Sequence, residues 1–162
     1  MRRAGLLAVL GFVGLTALAG GLVMALGSWL GPERLGLPAQ LVMPESMLAG
    51  SPFNSYFLPG LLLALVVGGT HLAALILVAR NHRWAAIAAA TAGYSILIWI
   101  FVQMAIIPFT VLQAVYFAAG LAELGLLLLS LGLIGHTSAT SPEPQARAVP
   151  AAGPPFKRLR TR

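Results

Sequence analysis

Two ionisable side chains lie deep inside apolar runs of this chain: His71, about fifteen residues into the second run, and Glu123, about twelve residues into the fourth. Such groups are costly in hydrocarbon unless paired, so each calls for a partner or a role. Tyr94 stands about ten residues above the start of the third run, and at about 1.5 Å of rise per residue the three side chains reach a common depth. A layer of His71, Tyr94 and Glu123, with hydroxyls from Thr70, Thr91 and Ser95 beside it, could pass a proton or seat a polar headgroup, because carboxyl and imidazole groups both exchange protons. It could equally be a set of satisfied interhelical hydrogen bonds that fixes helix register.

Trp99, Gln103, Gln113 and Tyr116 form a second polar layer at the facing ends of the third and fourth runs. An amide such as Gln103 needs both its donors and its acceptor satisfied. It therefore either seats a ligand's polar head or ties the third helix to the fourth, and the tie is the simpler reading. The other chemistry-bearing patterns are missing. There is no phosphate-binding GxxxxGK[S/T] loop, no HExxH zinc pair and no GxSxG nucleophile turn. The zero cysteine count excludes disulfides, thiolate metal sites and dithiol redox chemistry. Of the three histidines, one falls in a turn and one at the start of the tail, and Ser130 has no base nearby in sequence. The reading is non-catalytic, with no cofactor and no metal implied.

The elements that must position these residues are four apolar runs, predicted as helices over about 5–30, 56–79, 84–107 and 111–135. Each is long enough to cross roughly 30 Å of hydrocarbon. The fold class is all-α, a four-transmembrane-helix bundle over 1–137. A short basic turn, Arg80-Asn81-His82-Arg83, makes the second and third helices an antiparallel hairpin, and Pro108 ends the third just before the fourth begins.

The composition demands a lipid solvent. The 162 residues are 59% hydrophobic and 9% charged, with a mean hydropathy of +0.90, where a soluble domain carries about 25% charge. The net charge of +6 is read as membrane orientation and headgroup contact, and nucleic acid is not a predicted partner. Arg2, Arg3, Arg80, Arg83, Arg147, Lys157, Arg158, Arg160 and Arg162 fall on one side of the four spans and Arg34 on the other, so both termini are predicted to be cytoplasmic. The Arg, Ala, Gly and Leu bias suggests a bacterial plasma membrane. A competing reading takes Arg2-Arg3, the apolar stretch and Ala17-Leu18-Ala19 as a secretory signal, but the apolar run continues to Leu30.

Pro32, Pro38, Pro44 and Pro52 forbid a continuous helix through the loop from Gly31 to Ser55, whose Leu41, Val42, Met43, Met47 and Leu48 suggest a short interfacial piece acting as a lid. Residues 138–162, rich in Ser, Pro and Ala and ending in a basic cluster, are predicted to be a disordered cytoplasmic tail. Small residues offer packing faces: Gly11, Gly14, Ala17 and Gly21 in the first helix; Gly60, Ala64, Gly68, Gly69 and Ala73 in the second; Ala85, Ala89 and Gly93 in the third; Ala118, Ala122 and Gly125 in the fourth.

The stretch Ser51-Pro52-Phe53 to Pro59-Gly60-Leu61, then Arg80 to Trp84, Trp99-Ile100, Gln103 and Gln113 to Phe117, resembles a group of small uncharacterised four-helix bacterial membrane proteins. In helix number and loop lengths the chain also looks like the DoxX-like families, in topology only. The resemblance implies a membrane protein of unknown role and carries over no catalytic residue. Two functions are expected on these grounds. One is an accessory subunit for a larger membrane partner, or a bundle that associates with its own copies. The other is a lipid or small-molecule binder or transporter using the layer around Glu123 and His71.

Overall fold

A chain this apolar must satisfy its backbone internally, and helices do so within one segment. The structure, a computed structural model that describes residues 2–36, 38 and 44–132, is helical with no strand among those residues. Its four long helices are α1 (Arg2–Leu30), α2 (Phe57–Ala79), α3 (Ala85–Ile106) and α4 (Val111–Ser130), each long and apolar enough to cross a membrane. The expected tail over 138–162 lies outside the described residues, as do Leu41, Val42 and Met43 of the expected interfacial piece. The rest of that piece is one short 3-10 turn, Glu45–Leu48, with Leu48 buried.

Local chemistry sets the helix ends. Arg2 donates to Leu129 O at 2.9 Å, and Arg3 donates to Val78 O and Ala79 O at 3.0 and 2.9 Å. The two arginines thereby satisfy carbonyls left over at the C-termini of α4 and α2, where cations are favoured. The α2–α3 turn uses a left-handed Asn81 (φ 50°). Ile107 is extended before Pro108, and α4 starts from a capping box in which Thr110 Oγ1 accepts from Gln113 N and Thr110 N donates to Gln113 Oε1. α4 ends five residues short of the predicted boundary: after Ser130 the chain turns at Gly132, whose φ of 73° suits glycine. The Ser130 hydroxyl donates to Leu126 O in its own helix.

The helices form a ring in which α1 adjoins α2 and α4, and α3 adjoins α2 and α4. α2 and α4 therefore face each other across a diagonal, as do α1 and α3. Two apolar clusters fill the interior. Leu6, Leu10, Ala74, Val78, Ala89, Ala92 and Leu127 occupy the end where the arginines sit, and Val13, Ala17, Val67, Ile96 and Ile100 lie farther along.

The closest approach is between α1 and α2. A Cβ on Gly21 would come within 2.5 Å of Gly60 O and Ala64 N, and one on Gly60 within 2.6 Å of Ala25 N. Backbone packs on backbone there, the mode of association available where lipid removes the hydrophobic drive. The faces predicted for α1 and α2 are largely those used, although Ala73 points outward. On α4 the bundle does not use the small-residue side. Ala118 and Ala122 are exposed and Gly125 has open space around it, while Gly120, Glu123 and Leu127 turn inward.

Gly60→Ala should lower stability by about 1–3 kcal/mol or more despite alanine's better helix propensity, whereas Gly125→Ala should be neutral within about 0.5 kcal/mol. Equilibrium unfolding in mixed micelles checks both, and equal effects would contradict the α1–α2 contact.

Candidate functional site

The two ionisable residues of the apolar runs meet. His71 Nε2 of α2 lies 3.1 Å from Glu123 Oε2 of α4, and both side chains are 0% exposed. The contact crosses the bundle diagonal, so it is made between helices that do not adjoin.

Room for it comes from glycines on the other diagonal. A Cβ on Gly14 of α1 would sit 3.2 Å from His71 Cβ, and one on Gly93 of α3 would sit 3.7 Å from the Glu123 carboxyl carbon and 2.8 Å from Leu124 Cδ2. A side chain at either position would crowd the pair or its immediate support.

His71 is aimed by its own helix. α2 widens over Leu63–Gly68 into a π-helical turn, where Gly69 N reaches back five residues to Ala64 O. Such turns are rare. His71 Nδ1 lies 2.7 Å from Val67 O. A carbonyl only accepts, so Nδ1 is the donor. Nε2 and Oε2 are then complementary when they share one proton, on imidazolium or on carboxylic acid, and in either arrangement the pair has no net charge. That neutrality is what a hydrocarbon interior favours. Glu123 Oε1 is buried without a hydrogen-bond partner among the described residues.

The remaining members of the predicted layers separate. Tyr94 shares the depth of the pair but not its face, and its side chain is 59% exposed on the outer side of α3. Thr91 is exposed beside it. Thr70 and Ser95 form their own clip between α2 and α3: their hydroxyl oxygens are 3.1 Å apart, and each also contacts a carbonyl of its own helix.

The second layer does not form as a unit either. Gln113 is buried in the α4 capping box, its Oε1 taken by Thr110 N and its Nε2 without a hydrogen-bond partner among the described residues. Tyr116 stacks on Phe12 of α1 with ring centroids 5.9 Å apart and packs with Trp99 on the second apolar cluster. Gln103 makes no tie to α4; among the described residues its half-buried amide has no hydrogen-bond partner.

A feature that sequence reasoning missed lies between α2 and α3. A groove of ≈ 780 Å³ runs along them, walled by Pro59, Leu62 and Val66 on one side and by α3 residues from Ile87 to Ile106 on the other, with Leu48 and Phe53 covering one end. Tyr94, Trp99 and Gln103 line it; His71 and Glu123 do not. Thr91, Tyr94, Trp99 and Gln103 recur at intervals of three to five residues, a near-helical spacing that was present in the sequence. Only the packing of α2 against α3 turned that stripe into a wall. Among the described residues no cluster of three or more His, Cys, Asp or Glu side chains could hold a metal ion.

No protein-family model matches this chain, and no curated protein or solved structure matches it. The likeness to small four-helix membrane proteins therefore rests on its four apolar helices alone.

Glu123→Ala should destabilise the bundle by about 1–3 kcal/mol because it leaves His71 Nε2 buried without a partner. The double variant His71→Leu/Glu123→Met should recover most of that loss. Unfolding measured for the single and double variants decides it, and additive losses would contradict a coupled pair.

Proposed function

We propose that this protein is a non-catalytic, multi-pass membrane bundle that holds a lipid-like molecule in the α2–α3 groove, with the His71–Glu123 pair acting as the lock that keeps the bundle closed. The observation that carries this reading is the half-buried Gln103 amide, without a hydrogen-bond partner among the described residues, in a groove whose lining is otherwise apolar apart from the hydroxyls of Tyr56, Thr91, Tyr94 and Ser95. A polar group that the fold leaves unsatisfied next to hydrocarbon is complementary to a ligand's head, while the surrounding apolar wall suits its chain. The sealed pair supports the division of labour, since no lining residue of the groove belongs to it.

The orientation that goes with this proposal puts both termini on the cytoplasmic side of a bacterial plasma membrane. Arg2 and Arg3 meet the ends of α4 and α2, so they share one end of the bundle with Arg80 and Arg83. Basic residues concentrate on the cytoplasmic side of membrane proteins. The groove cover formed by Leu48 and Phe53 then lies at the opposite, outer face.

A second reading is favoured by one observation. Ala118, Ala122 and Gly125 give α4 a smooth outward side that its own bundle does not use. Small residues let helices approach closely in lipid, so this side supports an accessory subunit docked on a larger membrane partner, or association with further copies of the chain.

Native mass spectrometry of the gently purified protein tests both readings. A retained lipid that is lost on Thr91→Trp, which fills the groove from an exposed position, supports the binder. A heteromeric or multimeric mass abolished by Ala122→Phe and unaffected by Thr91→Trp supports the subunit. A bare monomer in every case overturns both.

A further inference from the structure

The chemistry of the groove also selects among lipids, an inference that rests on the groove being a lipid site. We infer that its occupant is an uncharged long-chain alcohol of the polyprenol type.

Three observations converge on that chemistry. Charge comes first. Among the described residues that line the groove, none is a lysine, arginine, histidine, aspartate or glutamate. A phosphate or ammonium head drawn into it would lose its hydration with no counter-charge in reach, a cost that an uncharged head avoids.

The second is hydrogen-bond complementarity. The Gln103 amide offers both a donor and an acceptor, and neither has a partner among the described residues. A hydroxyl is both donor and acceptor and can satisfy the two ends of one amide, whereas a ketone or quinone oxygen only accepts and leaves the Gln103 Oε1 wanting. Gln103 stands three residues from the end of α3, about 5 Å along the helix. A head there sits inside the end of the span, among the apolar residues Val102, Ile106 and Ile107, with its chain pointing inward.

The third is length. The α3 wall runs from Ile87 to Ile106, about 28 Å at roughly 1.5 Å per residue. That is close to the whole hydrocarbon thickness of about 30 Å. The α2 wall, Pro59 to Val66, faces only the outer part of that length. The acyl chains of an ordinary bilayer lipid reach only through their own leaflet of about 15 Å, so one anchored at Gln103 would leave the innermost third of the α3 wall, near Ile87 and Thr91, unfilled. A polyprenyl chain is long enough to follow the wall past Trp99 and Tyr94 to that end.

The test offers the purified full-length chain, in detergent, a long polyprenol, its monophosphate, a long-chain prenyl quinone and the short alcohol geranylgeraniol, and reads retention by native mass spectrometry. The expected result is retention of the long polyprenol at least about tenfold above the monophosphate and the short alcohol, a difference equivalent to about 1.4 kcal/mol. Gln103→Leu should lower polyprenol retention about threefold to tenfold, the worth of one net hydrogen bond, and should leave quinone retention less affected. Thr91→Trp should weaken the long alcohol and not the short one.

Equal or better retention of the monophosphate or the quinone overturns the alcohol assignment while leaving the groove a lipid site. Equal retention of short and long alcohols overturns the length argument. If no probe is retained by the wild-type chain, or if Thr91→Trp alters none of them, the groove itself is not a lipid site and the reading beneath this inference falls. Unfolding midpoints of Gln103→Leu and Thr91→Trp, expected to match the wild type, separate lost binding from lost structure.

Discussion

A carboxyl group and an imidazole in the middle of four apolar helices have one acceptable arrangement, and much of this molecule is organised around it. His71 and Glu123 are fully buried and 3.1 Å apart. Separating them would leave His71 Nε2 and the Glu123 carboxyl group without a partner. Because they belong to helices on opposite corners of the ring, their contact fixes the relative depth of α2 and α4 and draws the corners together. The other two corners must yield space, and they do so with Gly14 and Gly93. Val67 O, 2.7 Å from Nδ1 in the same helix, orients the ring so that Nε2 meets the carboxylate.

Packing elsewhere obeys the rule that in lipid close approach replaces the hydrophobic effect. α1 and α2 touch through backbone at Gly21 and Gly60, and α3 and α4 through Gly120 against Ile96 and Leu97. α2 and α3 are different. Their link includes the Thr70–Ser95 hydroxyl clip, and bulky residues such as Ile87, Tyr94 and Ile98 splay outward from α3. The groove lies along this seam.

The polar residues sort by the same division. Those on the inward faces, His71, Glu123 and Gln113, take part in a diagonal pair and a helix cap. Those on the α3 seam, Tyr94, Trp99 and Gln103, line the groove. A residue's chemistry alone did not predict its surroundings, since Gln103 and Gln113 carry the same amide and one lines a groove while the other caps a helix.

The sequence by itself determined the four helices and nearly all their boundaries, because length, apolarity, proline, glycine and basic turns act locally. It also determined that His71, Tyr94 and Glu123 lie at one depth, since depth along a helix is residue count times rise. The tertiary structure decided which way each helix faces. Tyr94 shares the depth of the pair yet points away from it, Gly120 replaces Ala118 and Ala122 as the packing surface of α4, and the seam between α2 and α3 opens into a groove. The physical reason is that a helix meant for hydrocarbon is apolar on every side. The amphipathic contrast that reveals the inward face of a soluble helix is absent, and only the contacts between helices choose the rotation.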